Sequence, residues 1–362
     1  MAPSARTEGS KAFQGLIRAL LAQPKPISAS LLLEAFLSDV AQGKAARRQV
    51  VAVMAALSAR PWDSRHATVL VNEIERTAVL DRGIGSEIAK MRPINIVGTG
   101  GGQPSFNIST ASAILAAAAG VRILKSGSVA YSSNAGAVDF LQEAKVPLSN
   151  TDTLVRENLA RYGIAFYMPG DFSPLLKRIA LSVLPHSFKD FAPVLNRVGP
   201  ILELFPTHCR LIGVSDATHF TFYEKVFSRL ERLPVWLVNA DAGLDEACSF
   251  GSTRVLRLAL TDKSEVLLNG EELGFGPGNL RKIAGGTAKK NVALVSRIFE
   301  GTGPEVATDC VVLNAALLIQ LALQAPTLHE AIEQAREAIH SGAAADLFMR
   351  LRSNAQPRRE AV

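Results

Sequence analysis

An α/β fold is what the 362-residue sequence predicts: a small N-terminal helical domain ahead of a large domain with a central, mostly parallel sheet flanked by helices. Three observations carry this. The first quarter repeats apolar residues at three- and four-residue spacing. From about residue 94 onward, short Val- and Ile-rich runs alternate with helical stretches. Finally, 48% of residues are apolar and only 20% charged, the balance of a globular protein with a real core rather than of a disordered or coiled-coil chain.

The elements follow in order. Residues 1–11 are small and polar and read as a frayed start, as do residues 353–362 at the other end. A helical domain is expected over 12–90, carried by "FQGLIRALLAQ", "ISASLLLEAFLSDVAQG" and "ARRQVVAVMAALSAR", with Ser28 as an N-cap and Gly43 as a stop. Trp62 and "HATVLVNEIERTAVL" continue the pattern to about residue 80. The α/β domain is expected over 91–352, with strands at "INIV", "VRILK", "CRLIGV", "VWLVNA" and "RVLRLAL". A helical segment near 174–195 interrupts it and is expected to pack back on the first domain.

Composition restricts the function classes. A formal charge of +6 suits anionic small-molecule substrates or a nucleic-acid partner, but no zinc-finger spacing or aromatic-basic interleaving accompanies it. Three cysteines, Cys209, Cys248 and Cys310, lie far apart with no CxxC, which argues against a disulfide framework or a structural zinc site and for reduced thiols. The N-terminus has no apolar core of a signal peptide. The alanine-rich run from Ala111 to Ala119 is too short to cross a bilayer, so a cytoplasmic protein is expected.

The chemistry is concentrated in loops after strands. In "NIVGTGGGQPSFNIST" a strand passes through Gly98, Thr99, Gly100, Gly101 and Gly102 into a helix opened by Asn107, Ser109 and Thr110. Bare backbone N–H groups and a helix N-terminus pointing the same way make a phosphate site. Glycine lets the ligand reach the main chain with no Cβ between. The spacing is neither a Walker P-loop nor a GxGxxG dinucleotide turn.

A second strand-loop-helix element, "KSGSVAYSSNAG", supplies Lys125 at a strand end and Ser132 and Ser133 before a helix, so the ligand carries phosphate at two places. A third, "NADAGLDEA", ends a strand with Asp245 and Glu246, adjacent carboxylates of the kind that hold Mg²⁺ together with substrate phosphates.

These motifs, with "NRVGPI" at Asn196–Ile201 and "DCVVLNAA" at Asp309–Ala316, resemble the anthranilate phosphoribosyltransferases of the nucleoside phosphorylase/phosphoribosyltransferase superfamily over about residues 12–350. The family's DIVGTGGD…FNISTASA is similar to residues 95–113, and its GLDE matches Gly243–Glu246. The resemblance implies a homodimer that binds phosphoribosyl pyrophosphate (PRPP) with Mg²⁺. Carried over, Gly98, Thr99, Gly100 and Gly101 wrap the pyrophosphate. Asn107, Ser109, Thr110, Lys125, Ser132 and Ser133 hold phosphates and ribose, with Lys125 and Asn107 acting in catalysis, while Ser109, Asp245 and Glu246 meet the metal.

The departures fall on the acceptor side. The family's Asp after GTGG is Gly102, in a loop that reads one residue shorter, and the His and Asn of its KHGN are Ser126 and Ser128. The family arginine that meets the acceptor carboxylate falls on Ala192, with Lys189 and Arg197 as substitutes nearby. The PRPP half reads as kept and the acceptor half as rebuilt, the pattern of a divergent paralogue.

Three readings stand at this point. One is phosphoribosyl transfer to an aromatic or heteroaromatic nitrogen, with anthranilate as default. The second is a nucleoside phosphorylase of the same superfamily, and the third a non-catalytic relative that binds nucleic acid. His186, His208 and His219 stand outside every motif and read as structural or surface residues, so no general base is assigned.

Overall fold

The computed structural model describes residues 10–22, 26–61, 63–127, 136–184, 186, 188–232, 234–259, 262–323 and 327–353. They divide into two compact units, one of Met1–Leu80, Pro169–Leu204 and Thr221–Glu231, the other of Asp81–Met168, Phe205–Phe220 and Arg232–Val362. Helices α1 (Lys11–Leu21), α2 (Pro26–Ala41), α3 (Arg47–Ser58) and α4 (Ser64–Arg76) open the smaller unit. The larger unit begins with α5 (Arg82–Lys90), β1 (Ile94–Gly98), α6 (Ile108–Ala118), β2 (Ile123–Ser126), α7 (Ala137–Glu143), α8 (Asp152–Tyr162) and β3 (Ile164–Tyr167).

The chain returns to the smaller unit for α9 (Pro169–Phe172), α10 (Pro174–Val183) and α11 (Ala192–Val198) and, after β4 (Cys209–Gly213), for most of α12 (Phe220–Leu230). β5 (Val235–Ala240), β6 (Ser252–Leu258), β7 (Lys263–Asn269), α13 (Ala288–Phe299), α14 (Glu305–Leu323), α15 (Leu328–His340) and α16 (Ala343–Ser353) complete the larger one.

In the smaller unit, Leu33, Phe36, Val50, Val53, Leu57, Leu70 and Ile179 are buried and draw α10 against α2 and α3. α2 starts at Pro26, so Ser28 lies inside its first turn instead of capping it. Proline's fixed φ suits a first helical position, where its missing N–H costs nothing. The unit's first stretch of chain ends at Leu80 rather than near residue 90. The next helix, α5, capped by the Asp81 side chain on the Gly83 and Ile84 N–H groups, packs with α8 in the larger unit.

The larger unit contains a seven-stranded sheet of order β3-β2-β1-β4-β5-β6-β7. β1 to β5 run parallel, and β6 and β7 add an antiparallel hairpin at one edge. β3 and β7 were not among the expected strands. "IAFY" follows directly on α8 with only Gly163, at φ +76°, as punctuation, and the edge strand "KSEVLLN" is too polar to stand out as an apolar run.

α6 is buried almost throughout because it is covered by α14, α15 and α16 while touching β1 and β2, and its alanines allow that close approach. Among the described residues α14 is the one helix long and apolar enough to cross a membrane, and 72% of that stretch is buried within the protein, as for a core helix.

Candidate active site

In an open parallel sheet, ligands bind beyond the carboxyl ends of the strands where the strand order reverses. Here the chain leaves β1 toward β2 and β3 on one side and resumes at β4 and β5 on the other, which puts the reversal between β1 and β4. Both strands end in glycine, and Gly98 pairs with Gly213. The Gly98–Gly102 loop starts at this point.

The loop is held by the turn after β5. The Gly100 N–H donates to Asp245 Oδ2 at 2.7 Å, and the Gln103 N–H donates to the Gly243 carbonyl at 2.9 Å. A Cβ on Gly98 would lie 2.1 Å from Asp245 Oδ2, and one on Gly213 would lie 1.5 Å from the Asp245 carbonyl oxygen. Neither position admits a side chain while Asp245 stays in place. Gly100 and Gly101 take φ of +65° and +78°, the left-handed region that favours glycine. From the β4 side, the Ser215 N–H donates to Thr99 Oγ1 at 3.1 Å and Ser215 Oγ donates to the Gly100 carbonyl at 3.0 Å.

Lys125 lies one residue before the end of β2, at the strand end where the sequence puts it. It is 3% exposed, and its Nζ donates to the Ile96 carbonyl at 3.0 Å and to Ser109 Oγ at 3.4 Å. Burial brings the ammonium down to about 8, against the opposing pull of Glu246 and Asp245. The two carboxylates keep some exposed surface while protein atoms crowd around them. That crowding raises Asp245, against the Gly100 N–H and Lys125, and raises Glu246 far more because the Asp245 charge adds to it.

Ser105 Oγ reaches Glu246 Oε2 at 3.5 Å. The two carboxylates, of which Asp245 already accepts the Gly100 N–H, and the Ser105 hydroxyl are hard oxygen donors and fit Mg²⁺. Among the described residues no group of three His, Cys, Asp or Glu side chains gathers at this site or any other, so an ion here would complete its shell from substrate and water.

Two asparagines given no role from the sequence support these loops, and one of them, Asn314, lies within the "DCVVLNAA" stretch. Asn314 on α14 clamps Ala247 from both sides, donating to its carbonyl at 2.8 Å and accepting its N–H at 3.0 Å. Asn291 on α13 donates to Asn107 Oδ1 at 2.9 Å. Their signal is an asparagine, a weak helix former, placed inside a helix.

Other expected residues are placed differently. Asn107 stands at the N-cap position of α6 without capping it. Thr110 is 1% exposed, facing the core side of α6, and its Oγ1 has no hydrogen-bond partner among the described residues. Ser126 ends β2, in register with Tyr167. Ala192 opens α11 in the smaller unit. Arg197, named as a substitute acceptor arginine, lies in the smaller unit, where its Nη1 donates to the Leu57 and Arg60 carbonyls at 3.2 and 3.1 Å and burial lowers it to about 10. Ser128, Ser132 and Ser133 lie outside the described residues.

Gly102, where a carboxylate was expected from the family pattern, is a steric requirement. A Cβ there would lie 2.5 Å from the Gly243 carbonyl oxygen.

Residues 90–345 match the family model described as "Glycosyl transferase family, a/b domain". The anthranilate phosphoribosyltransferase of Thermomicrobium roseum is 32% identical over 322 residues, 87% of this chain and 90% of that protein. That of Geobacillus sp. (strain WCH70) is 30% identical over 318 residues, 86% of this chain and 90% of that protein. Among solved structures, anthranilate phosphoribosyltransferase from Saccharomyces cerevisiae in complex with PRPP and Mg superposes with a TM-score of 0.75 at 22% identity, covering 95% of this chain and 98% of that one. The Thermus thermophilus enzyme gives 0.72 at 24%, covering 94% and 98%, and both share this fold. With a glycine loop locked to a carboxylate pair at the sheet's reversal point, and matches along nearly the whole chain, this protein belongs to the anthranilate phosphoribosyltransferase family and is a phosphoribosyltransferase enzyme.

Proposed function

We propose that the enzyme transfers the 5-phosphoribosyl group of PRPP to the nitrogen of an aromatic amine of the anthranilate class, releasing pyrophosphate. The observation that carries this reading is the Gly100 N–H donated to Asp245 Oδ2, which ties the phosphate-type loop to the carboxylate pair at one point beyond β1. The names of the relatives supply the acceptor class.

Breaking the C1–pyrophosphate bond develops positive charge on the ribose and negative charge on the leaving group. With the glycine loop already pinned to Asp245, the Lys125 ammonium is fixed before substrate arrives, so it stabilises the leaving charge with little reorganisation. Asp245 and Glu246, with Ser109 as the family resemblance implies, would hold Mg²⁺, which would supply Lewis-acid stabilisation of the leaving oxygens. The acceptor amine is itself the nucleophile, and the protein's part is to align it on the opposite face of C1.

Within the smaller unit Leu21 and Leu31 are 75% and 66% exposed, which supports a homodimer formed through these helices.

The deciding assay follows pyrophosphate release from PRPP, Mg²⁺ and anthranilate by the wild type and by Asp245→Ala. Release by the wild type that Asp245→Ala abolishes establishes the reaction. Failure of the wild type to bind PRPP overturns it, and PRPP binding with turnover only on another aromatic amine reassigns the acceptor.

A further inference from the structure

The backbone on either side of Glu246 does most to place it. Among the described residues its carboxylate takes a single hydrogen bond, from Ser105 Oγ at the long distance of 3.5 Å. On one side stands Asp245, whose carbonyl oxygen would lie 1.5 Å from a Cβ on Gly213, so β4 backs directly onto it. On the other stands Ala247, which is fully buried and is held by Asn314.

Asn314 is the tenth residue of α14 and is 1% exposed. Three backbone groups fix its orientation. The Ala247 N–H can only donate, and it donates to Asn314 Oδ1 at 3.0 Å. The Ala247 and Cys310 carbonyls can only accept, and Asn314 Nδ2 donates to them at 2.8 and 2.9 Å. Both N–H donors and the oxygen of the carboxamide are therefore in use. A leucine would have the shape without the bonds, and an aspartate would turn an oxygen toward two carbonyls.

The same turn of α14 meets the elements around the carboxylates at two more points. Cys310 Sγ lies 3.3 Å from Ser249 Oγ, three residues beyond Glu246. The Ser112 hydroxyl on α6 donates to the Val311 carbonyl at 3.0 Å. Residues Cys310 to Asn314 thus set the register between the Asp245–Glu246 turn and the helix whose first turn carries Ser109.

We infer that Asn314 is a positioning residue of the metal site: by clamping both backbone groups of Ala247 it fixes where the Glu246 carboxylate stands relative to Asp245. The inference rests on the function proposed above, in which these two carboxylates hold Mg²⁺. That ion demands near-ideal octahedral geometry at about 2.0–2.1 Å, so a carboxylate displaced by a loosened turn binds it poorly. Asn314 bonds to Ala247 and to neither carboxylate, and it acts only through the backbone.

The test uses the full chain and measures PRPP binding by calorimetry over a series of Mg²⁺ concentrations, with thermal melting alongside. Asn314→Ser removes the clamp. It is expected to raise the Mg²⁺ concentration that gives half-maximal PRPP affinity by about 10- to 100-fold, the usual effect of losing a group that orients a metal ligand. Excess Mg²⁺ should then restore PRPP affinity to within about 3-fold of the wild type by mass action. A loss of stability alone would lower the melting temperature and leave the Mg²⁺ midpoint in place, because the folded fraction binds as before.

Folded Asn314→Ser with the wild-type Mg²⁺ midpoint overturns the inference, as does weakened PRPP binding that excess Mg²⁺ does not restore. If Asn314→Ser does not fold, Asn314→Asp, which keeps an acceptor for the Ala247 N–H, goes through the same titration. Failure of both to fold makes Asn314 a folding residue and overturns the inference as well. A wild type that binds no PRPP at any Mg²⁺ concentration sinks the proposed function itself. A wild type whose PRPP affinity does not depend on Mg²⁺ removes the metal from the Asp245–Glu246 pair, and the inference with it, while PRPP stays the ligand.

Discussion

Asp245 accepts the Gly100 N–H through Oδ2 at 2.7 Å, and the same oxygen lies where a Cβ on Gly98 would have to be. One carboxylate thus shapes the glycine loop while standing beside Glu246. The two roles separate in two substitutions. Asp245→Asn retains an oxygen for the Gly100 N–H and should leave the melting temperature at or above the wild-type value, since a crowded charge is removed. It should still lower kcat by on the order of 10²-fold through loss of charge at the metal position. Asp245→Ala should lose activity and also destabilise the loop. Equal kcat for Asp245→Asn and the wild type would remove Asp245 from the reaction.

Gly102 yields a prediction opposite to the one a comparison of motifs suggests. Replacing it with the family's aspartate looks like restoring a metal-facing carboxylate. The Gly243 carbonyl oxygen, 2.5 Å from the Cβ position, makes it an overpacking substitution instead. Gly102→Asp and Gly102→Ala should both cost about 1–3 kcal/mol in stability and weaken PRPP binding, since each pushes the glycine loop off the Gly243 turn. Tighter PRPP binding by Gly102→Asp would show that the loop moves aside to admit the carboxylate.

The fold was legible in the sequence wherever burial imposed a period. The helices of the first quarter and the strands β1, β4 and β5 follow runs that face a core on one side or on both. β7 was not legible because an edge strand with Lys263, Ser264 and Glu265 exposed carries no apolar pattern. In the site, glycines and carboxylates announce themselves through composition. Asn291 does not, because its contact lies 184 residues distant, and Asn314 is marked only by its place in "DCVVLNAA", its contact 67 residues away being invisible there. Arg197 was legible only as a cation near a motif; the two carbonyls at the end of α3 that its Nη1 meets lie about 140 residues away in sequence.

Arg197→Met should therefore act on stability. The half-buried guanidinium satisfies the Leu57 and Arg60 carbonyls, where a cation also suits the negative end of a helix. Its loss should cost about 1–3 kcal/mol, seen as a lower melting temperature. The KM for the aromatic acceptor should stay at the wild-type value at temperatures where the variant is folded. A raised acceptor KM with unchanged melting would return Arg197 to the acceptor site.

Lys125 predicts how PRPP binding depends on pH. Its ammonium is brought down to about 8 in the free protein, and a bound polyanion favours the charged form. PRPP affinity should be flat below pH 8 and weaken toward tenfold per pH unit above it. The folding linkage has its own sign: between about 8 and 10.5 the unfolded lysine holds a proton the folded one has shed, so ligand-free stability gains from this group as pH rises. Calorimetry from pH 7 to 9.5 checks the first, and a pH-independent PRPP affinity would mean that Lys125 does not meet the ligand.

Asp309, in the second turn of α14, titrates in a window of its own. Burial raises its carboxyl to about 6, Glu305 adds to the rise, and Arg336 opposes it. Between the ordinary value of 3.8 and 6 the folded protein keeps a proton that the unfolded chain releases. The stability this group contributes is therefore complete below 3.8 and is lost as pH rises through 6. Asp309→Asn stays neutral throughout and should melt close to the wild type at pH 4 and higher than it at pH 7. Because the side chain is only half-buried, solvent screening limits the gain to about 1 kcal/mol, roughly 2–4 °C in melting temperature. Melting curves of both proteins from pH 4 to 7.5 test this through their difference, which removes the other carboxylates. A difference that does not change across pH 4–7 would mean that Asp309 titrates outside this window.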